Sequence, residues 1–116
     1  MSIGSHGDRH LELARLSEKE QRNELAESKR VLESELGRAI AVLAYPYGWP
    51  GTFDATTQQL AGEEGYQVAF ASTEGVNRPG SIDRFAVRRI GVGFADSPTL
   101  LRARLAMYAS IGKSLL

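Results

Sequence analysis

The chain has 116 residues, 42% hydrophobic and 24% charged, a balance that fits one folded domain burying roughly two thirds of its unfolded surface. Fourteen basic side chains are matched by fourteen acidic ones, so no net field drives broad binding to nucleic acid or to an anionic membrane. Cysteine is absent, which excludes a disulfide framework, a thiol nucleophile and a thiolate zinc site and leaves the redox compartment open.

In chain order, "SIGS" predicts a brief strand that delivers His6 and His10, and "LELARL" a short apolar turn. The next segment predicts an amphipathic helix with Ser17 as N-cap, Glu20 completing a capping box, Gly37 as the stop and Leu25, Leu32 and Leu36 as its buried stripe. "RAIAVLAY" predicts a strand buried on both faces, ending at Pro46 and presenting Tyr45, Pro46, Tyr47 and Gly48 at its C-terminal end. "TFDATTQQLAGEEG" and "YQVAFAST" repeat the helix and strand patterns. "EGVNRPGS" is a loop, "IDRFAVRRIGV" a short strand, and "DSPTLLRARLAMYASIG" a closing helix capped by Ser97 with Pro98 at its first position.

Strands alternating with helices imply an α/β fold with a parallel sheet, open or curved toward a barrel, in a single domain over residues 1–116. Chemistry in such folds collects at the C-terminal ends of the strands, where His6, His10 and the turn at Tyr45–Gly48 converge. No stretch approaches the roughly 18 apolar residues of a membrane span, and the N-terminus has no signal-peptide pattern, so the location is unknown and cytoplasmic only by default.

His6 and His10 are the only histidines. On a helical turn, residues four apart project the same way, so the two imidazoles are expected to meet on one divalent ion; the alternative is two exposed histidines in a polar turn. "IGSHGDRHLELARLSEKEQRNELAESKRVLESELGRAIAVLAYPYG" resembles the polysaccharide deacetylases of carbohydrate esterase family 4, with their His-x-x-x-His segment, Leu-rich turn, Ser-x-x-Glu helix start and "YPYG" strand end. The resemblance continues more loosely through "EEGYQVAFASTEGVNR" and "DRFAVRRIGV".

That resemblance implies a distorted, partial (β/α) barrel and removal of N- or O-acetyl groups from sugar polymers with a divalent metal, commonly zinc. It implies that His6 and His10 are metal ligands and that the backbone N–H of Tyr47 donates to the oxyanion. Tyr45, Pro46, Tyr47 and Trp49 become the expected substrate-binding positions, with Trp49 either stacking on a sugar ring or packing at the rim. Family members are often exported.

The sequence also departs from the family pattern. The family's Asp-Asp first motif, its base and third metal ligand, has no counterpart, because the chain begins after the place where it belongs. Ala44 stands where the "RxPYG" motif has arginine, and no further histidine exists to act as general acid. Asp8 lies between the histidines but should point away from a site that both share; Asp54, Asp83 and Asp96 read as caps and turn residues. Arg84, Arg88 and Arg89 read as solvated surface or local phosphate contacts. A Gly-x-Ser-x-Gly elbow is absent, and "IGVGFAD" lacks the third glycine of a dinucleotide loop.

The expected protein is therefore a truncated deacetylase-like domain of weak or no activity alone. The competing class is a non-catalytic remnant that binds carbohydrate or a partner through the same groove. The expected partners are acetylated carbohydrate and, through an unpaired strand edge at "SIGSH", a second copy of the chain.

Overall fold

The computed structural model describes residues 1–114. After Ser5 and the histidine segment, a 3₁₀ turn at Leu13–Arg15 leads into helix α1 (Glu18–Leu36). Strand β1 (Val42–Ala44), helix α2 (Ala55–Glu63), strand β2 (Val68–Glu74), strand β3 (Val87–Arg89) and helix α3 (Pro98–Ser114) follow. No helix among the described residues is long and apolar enough to cross a membrane.

Local chemistry sets the boundaries of α1. The Ser17 hydroxyl accepts from the Glu20 N–H at 3.3 Å while the Glu20 carboxylate accepts from the Ser17 N–H at 2.9 Å, which satisfies donors that a helix start leaves orphaned. Gly37 ends the helix in the left-handed region, φ 63°, its N–H on the Glu33 carbonyl at 2.9 Å. The buried face comprises Gln21, Glu24, Leu25 and Ser28, with Leu32 packed against the core. Leu36, expected in this stripe, is exposed: residues 34–39 all face outward, so the last turn overhangs the body. Asp54 caps α2 in a reciprocal box with Thr57, and the Thr57 hydroxyl donates to Gln21 at 2.6 Å, tying α2 to α1.

The sheet has the order β1-β2-β3 and is parallel throughout. β1 and β2 are in register from Val42 opposite Val68 to Ala44 opposite Phe70; β3 pairs less regularly, Phe70 opposite Val87 and Glu74 opposite Arg89. The first expected strand, "SIGS", is reduced to a single parallel bridge from Ser5 to Leu43.

"RAIAVLAY" is also shorter as a strand than its composition suggests. Ile40 is held from outside the sheet, its N–H on the Glu33 carboxylate at 2.9 Å and its carbonyl taking the Lys29 ammonium at 2.5 Å, so regular pairing begins only at Val42. Burial alternates, with Leu43, Ala69 and Ala71 fully covered and their neighbours partly so, in place of burial on both faces.

The core is built from Leu13, Leu25, Ile40, Leu43, Leu60 and Tyr66 with smaller neighbours between the helices and the sheet. α3 joins the body through Arg104, which pairs with Glu74 and with Asp96.

Leu25→Ala is expected to cost about 3 kcal/mol, the usual loss for emptying a fully buried leucine site. Leu36→Ala should change stability by less than about 0.5 kcal/mol. Urea denaturation of the two variants checks the contrast, and equal losses would contradict the placement of α1.

Candidate metal and substrate site

The bridge at Ser5 brings the histidine segment beside the C-terminal end of β1. Ser5 donates its N–H to the Val42 carbonyl at 2.8 Å and accepts from the Ala44 N–H at 2.9 Å. The next residue, His6, then donates Nδ1–H to the Ala44 carbonyl at 2.8 Å. A carbonyl can only accept, so this bond places the proton on Nδ1 and leaves the Nε2 lone pair of the neutral ring available to a metal.

Residues 7–10 do not form the helical turn expected from the spacing. Gly7 (φ 76°) and His10 (φ 56°) both occupy the left-handed region, and the turn between them folds around a carboxylate. Glu24, fully buried on α1, accepts the Asp8 N–H at 3.1 Å, the Arg9 N–H at 2.9 Å and the Arg9 Nε–H at 2.6 Å. The rings nevertheless meet, with the His6 and His10 centroids 4.8 Å apart. That separation is compatible with both imidazoles on one ion at the usual nitrogen distance of about 2.0–2.1 Å.

His10 also lies 4.8 Å, centroid to centroid, from the Tyr47 ring. Tyr47 is a non-glycine residue at φ 62° and its ring is about half exposed. Among the described residues its backbone N–H has no hydrogen-bond partner. Gly48 follows at φ 73°, and a Cβ there would sit 2.8 Å from the Ser72 nitrogen, so only glycine fits this close approach to β2. Trp49 is mostly exposed beside it.

Tyr45 and Pro46, grouped by the sequence with the substrate positions, are buried. The Tyr45 ring stacks on Phe53 at 4.2 Å and its O–H donates to the Phe85 carbonyl at 2.8 Å. Burial, with the Asp83 charge adding to it, pushes the Tyr45 pKa well up and keeps the phenol a neutral donor. Pro46 packs under Gly7, where a Cβ would meet its ring at 3.2 Å. Both side chains support the turn from beneath, and the outward face is left to Tyr47 and Trp49.

Asp8 is exposed, and among the described residues no third His, Asp or Glu joins the two imidazoles in a group able to hold a metal. Asp54 caps α2, Asp83 accepts the Phe85 N–H at 2.9 Å, and Asp96 accepts the Gly93 N–H at 2.7 Å. Arg84 lies over the Phe85 ring at 5.0 Å, while Arg89 donates to the Ala71 carbonyl at 2.8 Å and to the Ser72 hydroxyl at 3.1 Å.

Sequence reasoning missed Glu24. Its signal was a carboxylate on the stripe otherwise made by Gln21, Leu25, Ser28 and Leu32. Burial is the largest single influence on it and raises its pKa, but the Arg9 N–H, the Arg9 guanidinium and the Asp8 N–H together outweigh burial and hold the pKa below its ordinary value.

Residues 1–69 match the family model for polysaccharide deacetylase, a span that includes the histidine pair and the "YPYG" turn. YxkH of Bacillus subtilis, a protein named for polysaccharide deacetylation, is 31% identical over 96 residues, 79% of this chain and 32% of that protein. The Streptococcus pyogenes deacetylase PplD, solved in complex with acetate, superposes with a TM-score of 0.79 at 27% identity, over 89% of this chain and 44% of that one. A Bacillus cereus polysaccharide deacetylase gives 0.75 at 21% identity over 88% and 31%, a likeness of fold. The chain thus spans less than half the length of each of these relatives.

Since the folded-state pKa of Glu24 lies below the unfolded one, its carboxylate adds stability that is fully present above the ordinary glutamate range and is lost as pH falls through the folded value. Glu24→Gln should be less stable than the wild type near neutrality, with the gap closing as the pH falls below the ordinary glutamate range. Urea midpoints measured across that range check this. A constant gap would show that ionisation of Glu24 adds nothing.

Proposed function

The chain belongs to the polysaccharide deacetylase family, and from that premise we propose that it forms part of a metal-dependent site hydrolysing acetyl groups on sugars, with His6 and His10 as two of the metal ligands. The observation that carries this reading is the His6 Nδ1–H bond to Ala44, which frees Nε2 beside the second imidazole. The donor set fits a divalent ion, zinc by its affinity for imidazole, although catalytic zinc commonly has three protein ligands and the described residues supply two. When bound, such an ion supplies Lewis acidity toward an acyl oxygen.

The chain's own residues account for the rest of the arrangement. Tyr47 presents a backbone N–H without a partner, fixed by a left-handed turn between buried Pro46 and Gly48, as a donor to oxygen that becomes negative during acyl hydrolysis. The Tyr47 and Trp49 side chains are both exposed and offer aromatic faces to an acetylated sugar. No described carboxylate joins the histidines to act as base, so the reading includes low activity for this chain by itself. The same observation favours the second reading, a carbohydrate-binding remnant of the fold.

Calorimetric titration with zinc should show weak binding to the wild type that is lost in His6→Ala and in His10→Ala. Equal binding by all three would remove the assignment. Acetate release from acetylated glucosamine oligomers, with zinc or cobalt added, should fall at least about 100-fold below ordinary enzyme rates, the minimum usually lost with a positioned base. Turnover at ordinary rates would mean that another residue fills this role, and Asp8 would be the first to replace. Sugar binding with no acetate release would select the second reading.

A further inference from the structure

We infer that Glu24 is a positioning residue for the histidine pair, its carboxylate setting the turn through which His6 and His10 are presented to a metal. This inference rests on the assignment of that pair as metal ligands.

The three residues between the histidines are Gly7, Asp8 and Arg9. The N–H groups of Asp8 and Arg9 both point inward onto the same Glu24 oxygen, at 3.1 and 2.9 Å, and the Arg9 side chain takes the other oxygen at 2.6 Å. The left-handed residues Gly7 and His10 flank this clamp. A segment with two such residues and no helical or strand pairing has little internal reason to keep one shape, so its shape comes from the acceptor beneath it. Two convergent backbone donors and a guanidinium suit an anion, and charge-assisted bonds of this kind are stronger than neutral ones.

Helix α1 does not need Glu24 for its own sake. A fully buried carboxylate carries a desolvation cost that an apolar residue would avoid, and its hydrogen bonds all run to the histidine segment. The fit is also close from above: a Cβ on Gly7 would lie 3.7 Å from Glu24 Oε2 and 3.2 Å from Pro46 Cγ. The segment is therefore seated on Glu24 and on the "YPYG" turn together.

The test uses cobalt(II) ion alone as probe, with wild type, His6→Ala, Glu24→Gln, Glu24→Asp and, as a control for lost stability, Leu60→Ala, a core substitution on α2. Cobalt affinity is read by titration of the visible absorption bands, and the imidazole resonances of the metal-free proteins by NMR. Glu24→Gln should bind cobalt about 10- to 100-fold more weakly than wild type, the range usual for partners that orient a metal ligand, and should shift both imidazole resonances. Glu24→Asp, which keeps the charge on a shorter side chain, should fall between the two, and it is compared with wild type in the same way should Glu24→Gln not fold. Leu60→Ala should lose stability and keep its cobalt affinity. Unchanged affinity in folded Glu24→Gln, or an equal loss in Leu60→Ala, would overturn the inference. If the wild type binds no more cobalt than His6→Ala, the metal assignment fails by itself; the metal-free resonances then decide the positioning role, and their failure to move in the Glu24 variants would overturn it.

Discussion

Ser5 commits both of its backbone groups to β1, and the arrangement of the site depends on that one bridge. With its N–H on Val42 and its carbonyl on the Ala44 N–H, it fixes which residue follows into the space beyond the strand end. Gly4 permits the approach, since a Cβ there would lie 2.9 Å from the Val42 carbonyl oxygen. The Ser5 side chain is held as well, its hydroxyl 2.6 Å from that of Ser28 on α1. A slip of one residue would turn Ser5 out of its buried place and take the His6 ring away from the Ala44 carbonyl.

Around this bridge the helices and the third strand act as braces from different directions. α1 contributes a hydroxyl at Ser28 and a carboxylate at Glu24, one turn apart on the same face, and so holds both the strand residue and the turn that follows it. From the opposite side, the Ser72 N–H holds the Gly48 carbonyl at 2.8 Å, and Arg89 of β3 binds the Ser72 hydroxyl and the Ala71 carbonyl. Ala44 brings no guanidinium to this region, but its backbone N–H takes the Ser5 carbonyl and its carbonyl takes the His6 ring along the same edge of β1. Its contribution is made entirely by the main chain, which any side chain small enough to fit would preserve.

How legible each part was in the sequence follows the range of the forces that shape it. The capping box at Ser17 and Glu20 and the stop at Gly37 could be read because their partners lie within a few residues. The helix–strand order was legible from hydrophobic patterning, and the "YPYG" turn from its motif. The histidine turn was misread as helical because its shape is set by Glu24, fourteen residues beyond His10, and no local propensity reports that contact. Tyr45 and Pro46 illustrate a related limit: a motif names positions without saying which of their side chains the fold buries. Leu36 had the right spacing for the buried stripe, but spacing does not reveal where the body beneath a helix ends.

The Ala44 carbonyl and the Tyr47 N–H belong to the same strand end, three residues apart, with buried Tyr45 and Pro46 between them. In the proposed reading, the group that orients a metal ligand and the group that meets the developing negative charge are therefore parts of one rigid piece of backbone. Their separation cannot relax without moving Tyr45 off Phe53 or Pro46 out from under Gly7, and close packing resists both. A donor held in this way is already oriented when charge develops, so little reorganisation is needed at that moment. The left-handed backbone at Tyr47 and His10 fits the same logic. Strained φ values persist where the surroundings over-determine them, and here the two strained residues are the ones whose rings meet across the site.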